Sequence, residues 1–455
     1  MSIKNSPAFL GSEPIGKLLI QYSIPAIVAM IATSLYNIID SIFIGHGVGS
    51  LAIAGLALTF PLMNLSAAFG SLVGMGAATT ISVKLGQNDT ESANHILGNV
   101  MTLNLIIGVV YTIIMLAFLD PILYFFKASE QTIGYARDFM RVILYGNVVT
   151  HSYFGLNAVL RASGHPKIAM NATLATVVIN VALNPLFIFG FGWGIQGSAL
   201  ATVISQTIAL IFQLWFFSRK TLFIHFKKGI YKLKKEIVTS IMAIGLSPFL
   251  MNAFASIVVL FINTGLAKHG GDMSIGAYGI VNRTLFLFIM VANGINQGMQ
   301  PIAGYNYGAR QYGRVVSVTK LSIIFGVCVM SVGFILAEFF PELPIRMFTS
   351  DPELIKASVY GMRIMGAIFP LVGFQIVASN YFMSIGMAKI AIFLSLSRQL
   401  LFLLPFLIIL PQFIGLKGVW LSMPLSDLVS VIITGIVFFH YIRKMKSQVD
   451  ETPHS

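Results

Sequence analysis

Apolar runs of about 20 residues with almost no charge in them recur along the whole chain, and this constrains the fold more than any other feature. Each run is long enough to cross a hydrocarbon core of roughly 30 Å as a helix, whereas a spanning strand needs only about 9–11 residues. Only 10% of the residues are charged, far below the roughly 25% of an average soluble domain, so no large soluble domain fits in the sequence. The expected fold is therefore an all-α polytopic membrane protein. Twelve spans are expected, near 16–44, 53–83, 94–118, 134–159, 167–189, 195–218, 236–264, 275–303, 314–338, 354–384, 388–410 and 417–442. Pro25, Pro61, Pro185, Pro248, Pro301, Pro370 and Pro424 fall inside or near the ends of these runs, where a missing backbone donor bends a helix. The single cysteine, Cys328, excludes an intramolecular disulfide and is expected to serve packing. The first seventeen residues are polar with two lysines, and no small-residue cleavage pattern follows, so the first helix is expected to stay.

The net charge of +13 reads as topology. With the N-terminus inside, the inner loops and tails collect Lys4, Lys17, Lys84, Arg161, Lys167, Arg310, Arg314, Lys389, Arg443, Lys444, Lys446 and the basic run from Arg219 to Lys235. The outer loops hold only Lys127, Lys268, Arg346 and Lys417, and this asymmetry places both termini in the cytoplasm. Residues 219–235 read as a cytoplasmic linker lying against anionic lipid. No aromatic interleaving suggests RNA, and no nucleic-acid partner is expected.

The linker separates two halves that repeat each other. Pro25 and Pro248 are 223 residues apart, as are His46-Gly47 and His269-Gly270; Gly86 and Gly308 stand 222 apart, as do GHPKIA at Gly164 and GMAKIA at Gly386. Gly194-Ile195-Gln196-Gly197 meets Gly415-Leu416-Lys417-Gly418 at 221. Each half carries six spans, an even number, so the halves share one orientation and are expected to be six-helix bundles related by a pseudo-two-fold axis along the membrane normal. The expected domains are an N-lobe at 1–218, the linker at 219–235 and a C-lobe at 236–455 with a short cytoplasmic tail.

Asp40 lies in the first span with Tyr36 and Asn37 one turn behind it. A carboxylate at the centre of a spanning helix costs roughly 2.5–3.5 kcal/mol, a cost usually offset by a polar partner, a cation or a proton. The fifth span carries Asn180 and Asn184 and the sixth Ser198 and Thr202, each pair four residues apart and at about the depth of Asp40. Asp40, Asn180, Asn184 and Thr202 offer hard oxygen ligands that suit a small cation such as sodium. The same residues could instead hydrogen-bond a carboxyl group that gains and loses a proton, or form an interhelical polar cluster with no titrating role. In the second half Asn263 stands at the repeat of Asp40; the charges there are Arg283, Arg398 and Asp427, with Gln375 and Asn380 in the tenth span. A pairing of Asp427 with Arg283 or Arg398 is expected to be structural. Glu338, Glu342, Asp351 and Glu353 read as a solvated outer rim. The histidines are scattered, and neither a catalytic pair nor a cofactor motif is expected.

The stretches YNIIDSIFIGHGVGSLAIAGL, LRASGHPKIAM, NVALNPLFIFGFGWGIQGSALATVISQ, INQGMQPIAGYNYGA and SRQLLFLLPFLIILPQFIGLKGVWLSMPLSD resemble the multidrug and toxic compound extrusion (MATE) family across nearly the whole chain, in its bacterial MepA-like and DinF-like branch. The resemblance implies a multi-pass protein of the bacterial cytoplasmic membrane, working as a monomer without a cofactor. It implies export of small organic compounds, often cations, in exchange for protons or sodium by alternating access. It also implies that Asp40, Asn180 and Thr202 form the coupling-ion site of the N-lobe. Relatives with a well-formed cation site carry a second acid where Asn184 stands, and that departure makes proton coupling more attractive. The acids that NorM-like relatives place in the seventh and tenth spans are missing, so no C-lobe site of that kind is expected. A flippase for lipids or lipid-linked precursors is the alternative of similar architecture, and it would call for more cations lining a central groove.

Overall fold

The computed structural model describes residues 8–450, and among them every regular element is helical. Lys4 and the last residues of the tail lie outside the described residues. Without water to satisfy them, backbone groups in lipid must bond within the segment, and long uninterrupted helices result. The first half contains α1 (Ile15–Gly47), α2 (Ser50–Gly86), α3 (Thr90–Ala117), α4 (Ile133–Tyr145), α5 (Asn147–Ala162), α6 (Pro166–Pro185) and α7 (Gly194–Phe217). A helical run Lys235–Gly308 follows, divided by Gly271 at φ 65° and ψ −169° into α8 and α9. The second half continues with α10 (Tyr312–Phe339), α11 (Pro352–Gly366), α12 (Phe369–Ser384) and α13 (Ala388–Leu396). The last run, Leu404–Asp450, is broken at Ile414 and Gly415 into α14 and α15.

Eight of these runs are long and apolar enough to cross a membrane, and two of them, 74 and 61 residues long, each contain two of the expected spans. The tenth span is the pair α11 and α12, bent by 50° at their junction. The fourth is α4 and α5, interrupted at Gly146. The two interruptions, at Gly146 and Ile368, stand 222 residues apart, so the sequence repeat extends to where the helices break. All twelve expected spans thus lie on helix. Local chemistry sets several ends: Asp89 accepts from Ser92 N (3.0 Å) to cap α3, and Asp351 does the same from Glu353 N (3.0 Å) with Pro352 in the first turn of α11.

The chain divides into two compact units, one holding Met1–Phe9 and Val28–Asn252, the other Leu10–Ile27 and Ala253–Ser455. The dividing points fall three residues after Pro25 and five after Pro248, so α1 and α8 each contribute their two ends to different units. Glycines make the packing inside each unit close. In the first, a Cβ on Gly76 would stand 2.0 Å from Ile241 O and one on Gly245 1.8 Å from Leu72 O, so α2 and the start of α8 cross with backbones in contact. In the second, Gly298 on α9 meets Ser23 N of α1 in the same manner, at 2.7 Å, one repeat of 222 residues after Gly76. Apolar cores fill each unit, around Leu62, Tyr111 and Phe139 in one and Leu285, Met330 and Phe369 in the other. Cys328, expected to serve packing, is exposed on α10: its helical phase turns it away from the core-facing Gly326 and Met330.

Candidate functional site

Three helices of the first unit converge on Asp40. α6 ends at Pro185, and a single π-helical turn, Leu186–Gly190, carries the chain on; such wider turns are frequent at functional sites. Two glycines let neighbours close on that turn. A Cβ on Gly197 would lie 3.0–3.1 Å from Phe187, and one on Gly47 only 2.3 Å from Ile188 Cγ2. The approach at Gly197 brings the next residue of α7, Ser198, against α1.

Asp40 is 7% exposed, and Asn180, Asn184, Ser198 and Thr202 are buried around it. Its Oδ1 accepts from Asn184 Nδ2 at 2.5 Å and from Ser198 Oγ at 2.6 Å. Asn184 Nδ2 also donates to Asn180 Oδ1 (3.0 Å), and Asn180 Nδ2 to Thr202 Oγ1 (3.1 Å). Thr202 gives its own proton to Ser198 O (3.2 Å), so at the 2.9 Å contact with Tyr36 the phenol is the donor. The donors therefore run in one direction, from Tyr36 and Asn180 into Thr202 and from Ser198 and Asn184 into the carboxylate. Two oxygens stand outside this network: no described group donates to Asp40 Oδ2, and Asn184 Oδ1 is buried without a partner.

Thr202 reaches Asp40 only through Asn180, Asn184 and Ser198, and the direct hydroxyl ligand is Ser198. Asn37 is exposed and joins nothing at the site; of the two positions one turn behind Asp40, only the i−4 side chain of Tyr36 turns inward. In the second unit Arg398 Nε donates to Asp427 Oδ1 at 2.6 Å, while Arg283 is exposed on α9 and takes no part. Arg398 sits in a second π-helical stretch, Ser397–Leu403. Gln375 is buried and Asn380 bonds back to Ile376 O, both apart from that pair. On the rim, Glu342 pairs with Arg346 at 2.8 Å. Sequence reasoning did not single out a further buried cluster, in which Ser66 Oγ donates to Asn147 Oδ1 (2.5 Å) and meets His151 Nε2 at 3.2 Å. Polar residues in the apolar second and fourth spans were its only signal.

The MatE family model matches residues 25–186 and 244–409, one stretch in each half. The chain belongs to the MatE family. Membership makes it a multi-pass membrane transporter, and its relatives lie in the expected branch. It is 27% identical over 447 residues to the multidrug export protein MepA of Staphylococcus haemolyticus strain JCSC1435, covering 97% of both chains. It is 26% identical to MepA of Staphylococcus aureus strain N315, covering 92% of each. Among solved structures it is 37% identical to the MATE multidrug transporter DinF-BH, solved in a ligand complex, with a TM-score of 0.88 over 94% of this chain and 96% of that one. A MOP superfamily transporter from Pyrococcus furiosus shares the fold at a TM-score of 0.91 and 24% identity, over 98% of this chain and 100% of that chain.

Proposed function

We propose that this MatE protein is a multidrug efflux antiporter of the bacterial cytoplasmic membrane, both termini cytoplasmic, which exports organic compounds against an inward flow of protons by alternating access. Asp40 is the coupling residue. The observation that carries the reading is a lone, buried carboxylate whose Oδ1 takes two short hydrogen bonds while Oδ2 and the neighbouring Asn184 Oδ1 stay open. A proton arriving at Oδ2 adds a donor to a pocket built of donors and acceptors, and the hydrogen-bond directions around the acid must rearrange. That rearrangement ties the loading of the acid to the packing of α1 against α6 and α7. An ion shifts a conformational equilibrium only by its differential affinity for the two states, and the donors from Ser198 and Asn184 supply that difference.

Sodium is the less favoured ion because two of its expected ligands, Asn180 and Thr202, are already engaged. Asn180 Oδ1 accepts from Asn184, and Thr202 Oγ1 accepts from Asn180 and Tyr36. A cation at Asp40, Asn180 and Thr202 would have to displace those bonds, whereas a proton needs only one open carboxylate oxygen.

Proteoliposomes loaded with a fluorescent organic cation, ethidium, separate the two ions. Efflux is expected under an imposed pH gradient and not under a sodium gradient alone, and Asp40→Asn is expected to abolish gradient-driven efflux while folding normally, because its amide oxygen can still accept from Ser198 and Asn184. Undiminished export by Asp40→Asn would overturn the assignment, and export driven by sodium alone would replace the proton.

A further inference from the structure

The basic segment 219–235 is not a slack connection. Asn99, buried in α3, donates from Nδ2 to Ile230 O (3.2 Å) and Lys232 O (3.1 Å) and accepts at Oδ1 from Lys234 N (3.1 Å). Asn94 accepts from His225 N (2.9 Å), and Thr102 donates to Tyr231 O (2.9 Å). Gly98 lies between these groups, where a Cβ would be 2.3 Å from Ile230 O. Ile224 and Ile230 are buried as apolar anchors. A whole face of α3 is thus given over to holding the backbone of a loop.

What the clasp presents is strongly charged. Lys220, Lys227, Lys228, Lys232, Lys234 and Lys235 are exposed, and none of their ammonium groups is paired among the described residues. Arg219 lies over the Trp215 ring at 3.7 Å. Contrary to the expectation that the linker lacks aromatic interleaving, Phe223 and Tyr231, with Leu233, are exposed between the lysines. Glu236 is the only acid from residue 219 to residue 252. A loop whose charge served only to orient the protein during insertion would not need its carbonyls and amides fixed one by one.

We propose that residues 219–235 form a preorganised binding surface for the phosphate headgroups of anionic phospholipids, with Phe223, Tyr231 and Leu233 seated at the level where headgroups meet acyl chains. Cations alternating with apolar side chains match a membrane interface, which offers negative phosphates beside hydrocarbon. The clasp fixes the spacing of the lysines before lipid arrives, so less ordering is lost on binding. The surface belongs to the first unit and works independently of Asp40, so it can be read with no gradient applied.

The test is native mass spectrometry of the purified full chain in competition between phosphatidylglycerol and phosphatidylcholine. The wild type is expected to retain phosphatidylglycerol preferentially. Replacing Lys227, Lys228, Lys232 and Lys234 with Gln is expected to lower that preference by about fivefold per lysine, the equivalent of about 1 kcal/mol for each cation near an anionic surface. Asn99→Leu keeps every charge and removes three bonds of the clasp; a several-fold loss of preference at unchanged charge is expected. Thr102→Val removes a single bond and gives a smaller loss in the same direction, and it serves if the Asn99 variant does not fold. Equal retention of both lipids by the wild type, or a preference that survives loss of the lysines, would overturn the proposal. A preference that tracks charge alone and ignores both clasp variants would refute the preorganised surface, and selective retention of RNA or of an acidic protein in place of lipid would give the surface to another partner.

Discussion

The Arg398–Asp427 pair gives the most quantitative test of the second unit. Its side chains are 29% and 15% exposed, and it rests on one 2.6 Å bond from Nε to Oδ1. Removing one partner of a buried pair typically costs 3–5 kcal/mol, because the remaining charge is stranded. Partial exposure and a single bond place this pair at the lower end, about 3 kcal/mol for either Arg398→Leu or Asp427→Leu. At about 2 °C for each kcal/mol in a unit of roughly 200 residues, either variant is expected to lower Tm by about 6 °C. Replacing both with leucine removes the charges together, so the double variant is expected to lose far less than the sum of the single losses. Thermal unfolding of the four proteins in one detergent closes the cycle. Strictly additive losses, or single variants within about 1 °C of the wild type, would refute the view that these charges neutralise each other inside the bundle.

Ser198→Ala takes away one of the two donors to Asp40, a charge-assisted bond of about 1.5–3 kcal/mol, and is expected to impair gradient-driven ethidium efflux far more than Thr202→Val, which touches the acid only indirectly. Gly76→Ala places a methyl against Ile241 O, where 2.0 Å is available, and is expected to cost more than about 3 kcal/mol and reduce the yield of folded protein, whereas Gly279→Ala, with nothing within 4 Å, is expected to be tolerated by the same expression assay. At the start of α3, burial works against charge on Asp89, but the Ser92 amide and hydroxyl and the Lys84 ammonium outweigh it and hold the carboxyl below its ordinary value. A depressed folded value contributes stability that is present above the unfolded value, near pH 4, and is lost as pH falls through the folded one. Asp89→Asn is therefore expected to flatten the acid limb of a stability-against-pH curve by a few tenths to about 1 kcal/mol, with no change at pH 7 beyond that offset.

Much of this was legible because lipid removes choices. A run of twenty apolar residues has to be a helix, and a single acid inside one has to find polar company, so Asp40, Asn184 and Asn180 could be brought together from spacing and depth alone. The finer outcomes turned on quantities that spacing does not carry. Residues at i−3 and i−4 flank a helix face on either side, and which of Tyr36 and Asn37 turns inward depends on where α7 lies. Ser198 rather than Thr202 meets the carboxylate because the glycine before it lets α7 approach the π-helical turn, and no periodicity announces such a turn. Arg398 and Arg283 looked equivalent as intramembrane cations; the second π-helical stretch carries one of them toward Asp427 and leaves the other outside. The clasp on the linker was hidden for a different reason, since asparagines in an apolar span say that a polar partner exists without naming a backbone 131 to 135 residues away.

Because the opening turns of α1 are built into the unit that begins again at Ala253, and the opening turns of α8 into the unit that ends at Asn252, severing the polypeptide in its basic loop would not yield two self-sufficient pieces. Each fragment would carry a stub destined for the other and lack one of its own, with Gly76 and Gly298 facing empty slots. Such halves are expected to be recovered only when made together in one cell, reassembling by trading stubs, and to be lost to proteolysis when made alone.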